Sequence, residues 1–386
     1  MKRQTPPLTE FQPSPGPANP AGAPTTRIRI RFIGAEGNYN SVAAHGHRVS
    51  QGISALDLPG VTSEVVLIPR KTFSPRPPIS PFKHRLWRSL VDGADILVVI
   101  KGSVFPGFEA ASSDFRSLCH SRNVLLVSSP ADGPGSNAGD NRDRFSEEVA
   151  DYVFPASRAQ RAHLVSRRDP STVFDVGVAA RPQQDVSITI RDRVRTVIWE
   201  NPPHHDPDFN PVTVALSKEQ YAAFEQTIRA FCEQRGASLV TFGFWRDHQT
   251  DEDWQDLMLT ADIAIECKAF NRAHTGYQRQ KPPTKLQNYL ALGLPVICDS
   301  VPAYLELGQP AGVLFADSME DWLDHLTLLF ESPDRRAEMS AAALKAAAPY
   351  SIANVARNHV LGFQQMIRRR AVANQQRLAG RDTVTA

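Results

Sequence analysis

Residues 261–305 read ADIAIECKAFNRAHTGYQRQKPPTKLQNYLALGLPVICDSVPAYL, and the reading of this stretch decides the fold. Ala261 to Cys267 is a short apolar run that predicts a buried strand. A polar loop follows, carrying Lys268, Arg272, Arg279 and Lys281. Pro282 and Pro283 stop any earlier helix. Thr284 is placed to cap a new one, with Gln287 three residues on to reach back, the pattern of a capping box. Leu286, Tyr289 and Leu290 supply the apolar stripe of that helix, and Gly293 suits the left-handed residue that closes it. Pro295-Val296-Ile297-Cys298 then predicts a buried parallel strand.

One residue here is electrostatically out of place. Lys285 lies in the first helical turn, where the helix dipole disfavours a cation by about 0.3–1 kcal/mol at an exposed site. A bound anion reverses that sign. Backbone amides at a helix start together with a lysine ammonium make a ready site for a diphosphate. The alternative is a solvated lysine that tolerates a small penalty.

The segment PPTKLQNYLALGLPVI, residues 282–297, resembles the donor-site helix of GT-B glycosyltransferases, especially the family-4-like retaining enzymes. Lys285, Tyr289, Ala291, Gly293, Pro295, Val296 and Ile297 match the pattern of that helix. Many of those enzymes carry two glutamates eight positions apart; the corresponding residues here are Gln280 and Asn288. The second carboxylate in the family typically holds the nucleotide ribose. Asn288 can still hydrogen-bond a hydroxyl but carries no charge.

The resemblance implies a nucleotide diphosphate sugar as donor substrate, with neither cofactor nor metal. Cations and helix-start amides would stabilise the charge that develops on the leaving diphosphate. Lys285 is the first candidate for that role and Arg246 the second, with Lys268, Arg272 and Lys281 behind them. Lys281, Lys285, Asn288 and Tyr289 are the donor-binding candidates on and before the helix. The resemblance also implies retention of configuration at the sugar carbon.

At 386 residues the chain is long enough for two domains, each with its own core. A formal charge of +2 gives no global case for nucleic acid. Cys119, Cys232, Cys267 and Cys298 are far apart and show no metal-ligand spacing, so buried reduced thiols are expected, as in a cytoplasmic protein. No apolar run approaches the roughly 18 residues of a membrane helix, and no signal-peptide core is visible. Residues 1–26 are rich in Pro and small polar residues and predict a disordered tail.

The first strand, RIRIRFIG, alternates Ile28, Ile30 and Phe32 and runs into the loop Gly34-Ala35-Glu36-Gly37, with a helix from about Ser41. A dinucleotide fingerprint would want Gly where Glu36 stands. In the resemblance this loop, with Gly37, lies where substrate approaches the backbone; an ordinary βα turn is the other reading. His45, just beyond it, is a candidate general base on an acceptor hydroxyl, or a surface histidine. Residues 70–90, RKTFSPRPPISPFKHRLWRSL, combine six cations with Phe73, Phe82, Leu86 and Trp87 and no acid. Cations with aromatic anchors suit an anionic membrane surface or an anionic acceptor; the alternative is a proline-braced surface loop with one helix turn packed inward.

Further strands are predicted at 95–101, 123–127, 151–157 and 172–176 in the first half. In the second half they are predicted at 194–199, 238–242 and 312–315. The run His204-His205-Asp206 offers no third metal ligand. The boundaries follow: tail 1–26, acceptor-side domain 27–180, linker 181–193, donor-binding domain 194–350, a helix crossing back over 351–371, and a flexible tail 372–386.

The βα alternation in both halves indicates an α/β protein with two doubly wound, Rossmann-like parallel sheets facing across a cleft, the GT-B architecture. The function expected is transfer of a sugar to a hydroxyl on a glycan or lipid-linked glycan, in the cytoplasm or peripherally on the inner face of the membrane. The rivals are a non-catalytic relic of the fold that binds a glycan, nucleotide or partner, and a nucleotide-sugar epimerase that needs no acceptor.

Overall fold

The computed structural model describes residues 27–35, 42–69, 81–100, 108–130, 145–180, 187–200, 202, 216–243, 251–268 and 283–382. The expectations for residues 1–26, Gly37, residues 70–80, His204, His205, Arg246, Arg272, Gln280 and Lys281 lie outside these.

The first half alternates strand and helix: β1 (Ile28–Ala35), α1 (Val42–Ala55), β2 (Val61–Ile68), α2 (Pro81–Val91), β3 (Ile96–Ile100), α3 (Phe108–Ser121), β4 (Leu125–Ser129), β5 (Tyr152–Val153) and α4 (Arg158–Val165). Its strands form one parallel sheet in the order β2-β1-β3-β4-β5. The second half repeats the plan with β6 (Thr196–Glu200), α5 (Lys218–Gln234), β7 (Ser238–Phe242), α6 (Asp251–Leu259), β8 (Ile263–Glu266), α7 (Thr284–Ala291), β9 (Val296–Cys298), α8 (Pro302–Gly308), β10 (Leu314–Phe315), α9 (Met319–Glu331), α10 (Pro333–Ala347) and α11 (Ile352–Asp382). Its sheet is β10-β9-β8-β6-β7, again parallel. Counted from its own first strand, each sheet has the same order. The order reverses between β1 and β3 in one and between β6 and β8 in the other. In open parallel sheets ligands bind outside the carboxyl ends of the strands at that switch point.

The central strands are buried along their whole length, which is why they read as apolar runs: Ile96 to Ile100 and Ile263 to Ile265 are examples. The edge strand β2 alternates exposed and half-buried residues instead. Ser217 with Gln220 and Ser318 with Asp321 form capping boxes that start α5 and α9. Gly293 has φ +72° and closes α7 as the sequence predicts. All four cysteines are buried.

Two expectations change. Residues 172–176 do not form a strand: only Val173 pairs, by one bridge to Val153. Asp169 caps a tight turn at Pro170–Thr172, and that turn takes up the start of the expected strand. The last helix does not end near residue 371 but continues to Asp382.

That last helix packs on the first domain. Val355, Ala356, Val360, Phe363 and Met366 share a buried cluster with Ile30, Phe32, Val49 and Ile53. Gly52 makes the approach of α1 to α11 possible. A Cβ there would lie 2.7 Å from the Ala356 Cβ and 2.8 Å from the Ile352 Cγ2. Gly52→Ala is therefore expected to cost about 2 kcal/mol, since two packed helices must separate to admit one methyl. Urea unfolding measures it; a cost under about 0.5 kcal/mol would mean the helices yield freely.

Candidate functional site

The second sheet's switch point is built from strand ends. Glu200 is the last residue of β6 and Glu266 the last of β8. Helix α7 begins beside them and brings Lys285, its second residue, to both. The Lys285 Nζ donates to the Glu200 carbonyl oxygen at 2.7 Å and to Glu266 Oε2 at 3.3 Å. Glu266, 0% exposed, also pairs through Oε1 with the Lys268 ammonium and accepts from the Tyr304 hydroxyl at 3.3 Å. The Lys268 backbone N–H donates to Asp299 Oδ2 at 3.0 Å, and its carbonyl accepts from the Tyr221 hydroxyl. Trp254 Nε1 donates to Glu200 Oε2 at 3.2 Å. The carboxyl ends of β6, β8 and β9 are thus held together by one charged network.

Electrostatics distinguish the two lysines. Burial, the largest single effect, pulls the Lys268 ammonium toward its neutral form, but Glu266, Asp299 and Cys267 together outweigh it and the pKa is raised. At Lys285 burial wins and the pKa is lowered, with Glu266 opposing and Lys268 adding to the fall. The Lys285 side chain remains 18% exposed. An ammonium has three N–H donors, and among the described residues two have acceptors. The third has no acceptor among the described residues.

The start of α7 differs from the expected capping box. Pro283 is the N-cap, no side chain caps the helix, and Thr284 is already inside it. The cause is the bond from the Gln287 N–H to the Pro283 carbonyl at 2.8 Å, which begins the helix one residue early. Gln287 is then buried on the core side and cannot reach back. The cation at this helix start is offset by a carboxylate of the chain itself, so Lys285 is not a solvated surface residue.

Asn288 is one turn from Lys285 on the same helix and is buried. Tyr289 is 0% exposed and packs in the apolar cluster of the second domain with Leu286, Leu290, Leu294 and Val296. Its ring is part of the core, and its hydroxyl is close enough to act on Tyr304, the tyrosine that bonds Glu266.

His45 lies in the first domain. It is 6% exposed, and its Nδ1 has no partner among the described residues. Its ring centroid stands 5.9 Å from that of His359 on α11. Burial, then His359 and Arg48, hold its pKa well below the usual range, so the ring is neutral at pH 7. Its neighbour Gly46 lies against Ile100 at the end of β3, with a Cβ there 2.5 Å from the Ile100 Cδ1. That places this part of α1 near the first sheet's own switch point. Of the basic–aromatic segment, Arg85 and Arg88 are exposed on α2 while Trp87 and Leu90 face inward.

Glu200 and Glu266 are absent from the candidates read in the sequence. The available signal was an acid ending an otherwise apolar strand, twice, on the strands that flank the point where strand order reverses.

No protein-family model matches the sequence, and no curated protein does. Solved structures do match over most of the chain. The sucrose-phosphate synthase of Thermosynechococcus elongatus superposes with TM-score 0.57 at 11% identity, covering 88% of this chain and 99% of that one. Anabaena HepE in complex with UDP and glucose gives 0.55 at 12% identity, covering 88% and 100%. A Listeria monocytogenes protein assigned as a UDP-N-acetylglucosamine 2-epimerase gives 0.52 at 14% identity, covering 89% and 98%. At such identities the likeness is one of architecture. With the two matched parallel sheets and the helix returning to the first domain, it establishes that this chain has the GT-B fold.

Proposed function

We propose that the protein is a glycosyltransferase that takes a sugar from a nucleoside-diphosphate donor and moves it to a hydroxyl acceptor on a glycan or lipid-linked glycan. The observation that carries this reading is Lys285. A lysine whose side chain is 18% exposed, with one N–H lacking an acceptor among the described residues, stands at a helix start, at the carboxyl ends of the two strands that flank a switch point. A diphosphate oxygen completes its donor set and benefits from the helix-start amides. Asn288, one turn on, is assigned to the ribose. Arg246, Lys281 and Gly37 are assigned to the donor and its approach by the sequence resemblance alone. Reaction at the sugar carbon with retention rests on the same resemblance. His45 is assigned to the acceptor side, where a base must be neutral, as this ring is at pH 7.

No helix of the described residues is long and apolar enough to cross a membrane. The exposed Arg85 and Arg88 support an anionic surface or acceptor as the partner of α2, with the chain acting in the cytoplasm or at the membrane's inner face.

An epimerase is the second reading, favoured by the epimerase among the structures of the same architecture. Titrating UDP, UDP-glucose and the other common nucleoside diphosphates by calorimetry tests the shared premise. Dissociation constants in the micromolar range are expected, about −8 kcal/mol. Incubating the bound nucleotide sugar with and without a glycan acceptor separates the readings: product formed without acceptor identifies an epimerase. No binding of any nucleoside diphosphate removes both and leaves the non-catalytic relic.

A further inference from the structure

The described clusters of charge fall into two kinds. Most lie at the margins and close on themselves. Asp151, for example, bonds Arg116, His120 and the Leu126 N–H, and so staples α3 to β4 and β5. Glu266 is different. It is a fully buried carboxylate at a strand end, and its two oxygens reach two different lysines, one of which keeps an N–H without an acceptor among the described residues.

We propose that Glu266 is a positioning residue for nucleoside-diphosphate binding: it fixes the Lys285 ammonium against the Glu200 carbonyl and keeps it charged. This role rests on the donor-site reading above. The geometry supports it in three ways. Glu266 pairs with Cys298 of β9 and follows residues of β8 that pair with both β6 and β9, so its backbone is held against moving away to let a ligand replace its carboxylate. The Tyr304 hydroxyl on Oε1 and Lys268 beside it hold the carboxylate in one orientation. Oε2 is thereby aimed at Lys285, and the Glu200 carbonyl on the same ammonium leaves a single direction for the third N–H.

Among the described residues the groups that face this ammonium are Glu266 and Lys268 from β8 and the residues after it, and Glu200 from β6. Cys298 and Tyr304 face Glu266 itself. Glu200 and Glu266 favour the charge on Lys285, while burial and Lys268 oppose it. Without Glu266 the largest influence opposing the fall in its pKa is gone, and the pKa falls further.

A carboxylate near a diphosphate site would by Coulomb's law alone repel the ligand, so the two views predict opposite signs. In Glu266→Gln the shape is kept and the charge removed. UDP is expected to bind the variant roughly 10-fold or more weakly than wild type at pH 7.5, the scale of one charged hydrogen bond. Uridine is expected to bind both proteins alike. In ¹³Cε-lysine-labelled protein without ligand, with Lys285→Arg used for assignment, the Lys285 signal is expected to titrate at lower pH in Glu266→Gln than in wild type. Tighter UDP binding by the variant, or an unchanged Lys285 titration, overturns the proposal. Should Glu266→Gln fail to fold, Tyr304→Phe removes one bond from the same carboxylate. It is expected to weaken UDP about threefold, and a gain in affinity again overturns the proposal. If wild type binds no nucleoside diphosphate the donor-site reading falls, while the ligand-free titration still decides whether Glu266 holds the charge on Lys285.

Discussion

Lys285→Ala is expected to destabilise the protein by about 3 kcal/mol, the penalty for breaking a buried ion pair from one side. The sequence alone suggests the reverse, a change near zero, because deleting a cation from a first helical turn also removes an unfavourable dipole term. The structure reverses that expectation. Glu266 has no exposure, and Lys285 is one of its cationic partners. Removing it leaves a carboxylate held by Lys268 and a tyrosine hydroxyl, and strips a donor from the Glu200 carbonyl. Lys268 stays in place, which puts the cost at the lower end of the range for such pairs. The double variant Lys285→Met with Glu266→Gln should recover much of the loss, because no charge is then stranded. Urea unfolding of the single and double variants measures both. A single variant as stable as wild type would show that the pair contributes nothing, and the network would need another explanation.

Acid is expected to weaken the fold through the histidines between α1 and α11. His359 is 1% exposed, and its Nδ1–H donates to the Val355 carbonyl at 2.8 Å. Phe32, Phe154 and Phe363 surround its ring. Burial pushes its pKa down to about 4, with the Val355 hydrogen bond opposing. The unfolded chain holds the same imidazole near 6.5, so below that pH the unfolded state binds the extra proton first. The stability this ring confers is complete above about pH 6.5 and is lost progressively as the pH falls toward 4. The loss amounts to about 3 kcal/mol for His359 alone. His45, lowered for the same reason and next to it, steepens the fall. His359→Phe fits the aromatic surroundings and cannot titrate. The gap between wild-type and variant stabilities should therefore shift by roughly that amount between pH 7.5 and pH 4.5, whatever the carboxylates do in both. Parallel pH curves for the two proteins would show that His359 does not titrate in this window.

Most of the architecture is legible in the chain. Residues 96–100 and 263–265 are apolar without a break because both faces of their sheets are covered, and helices with Ser217 and Ser318 at their starts announce themselves. Where the reading fails, tertiary context decides. Thr284 has the chemistry of a cap, but the Pro283 carbonyl takes the first helical hydrogen bond instead. Residues 172–176 have strand-like composition, yet the turn at 170–172 leaves one bridge.

The candidate site is half legible for a related reason. Lys285 stands out locally, since a cation in a first turn is anomalous on sequence grounds alone. Its partners do not stand out. Glu266 is 19 residues away and the Glu200 carbonyl 85, and only the order of the strands brings them together. The carbonyl carries no side-chain signature at all.

The return of α11 to the first domain has a consequence for how the chain is made. Synthesis delivers the first sheet early, but five of the buried apolar residues that complete its core, Val355 to Met366, are near the other end. Until they emerge, the face of α1 around Val49, Gly52 and Ile53 has nothing to cover it. The second domain can close its own clusters in the meantime. The half that is translated first is thus the half that finishes last, and for the duration of some three hundred peptide bonds it carries an open apolar flank that a nascent chain must shield from its neighbours.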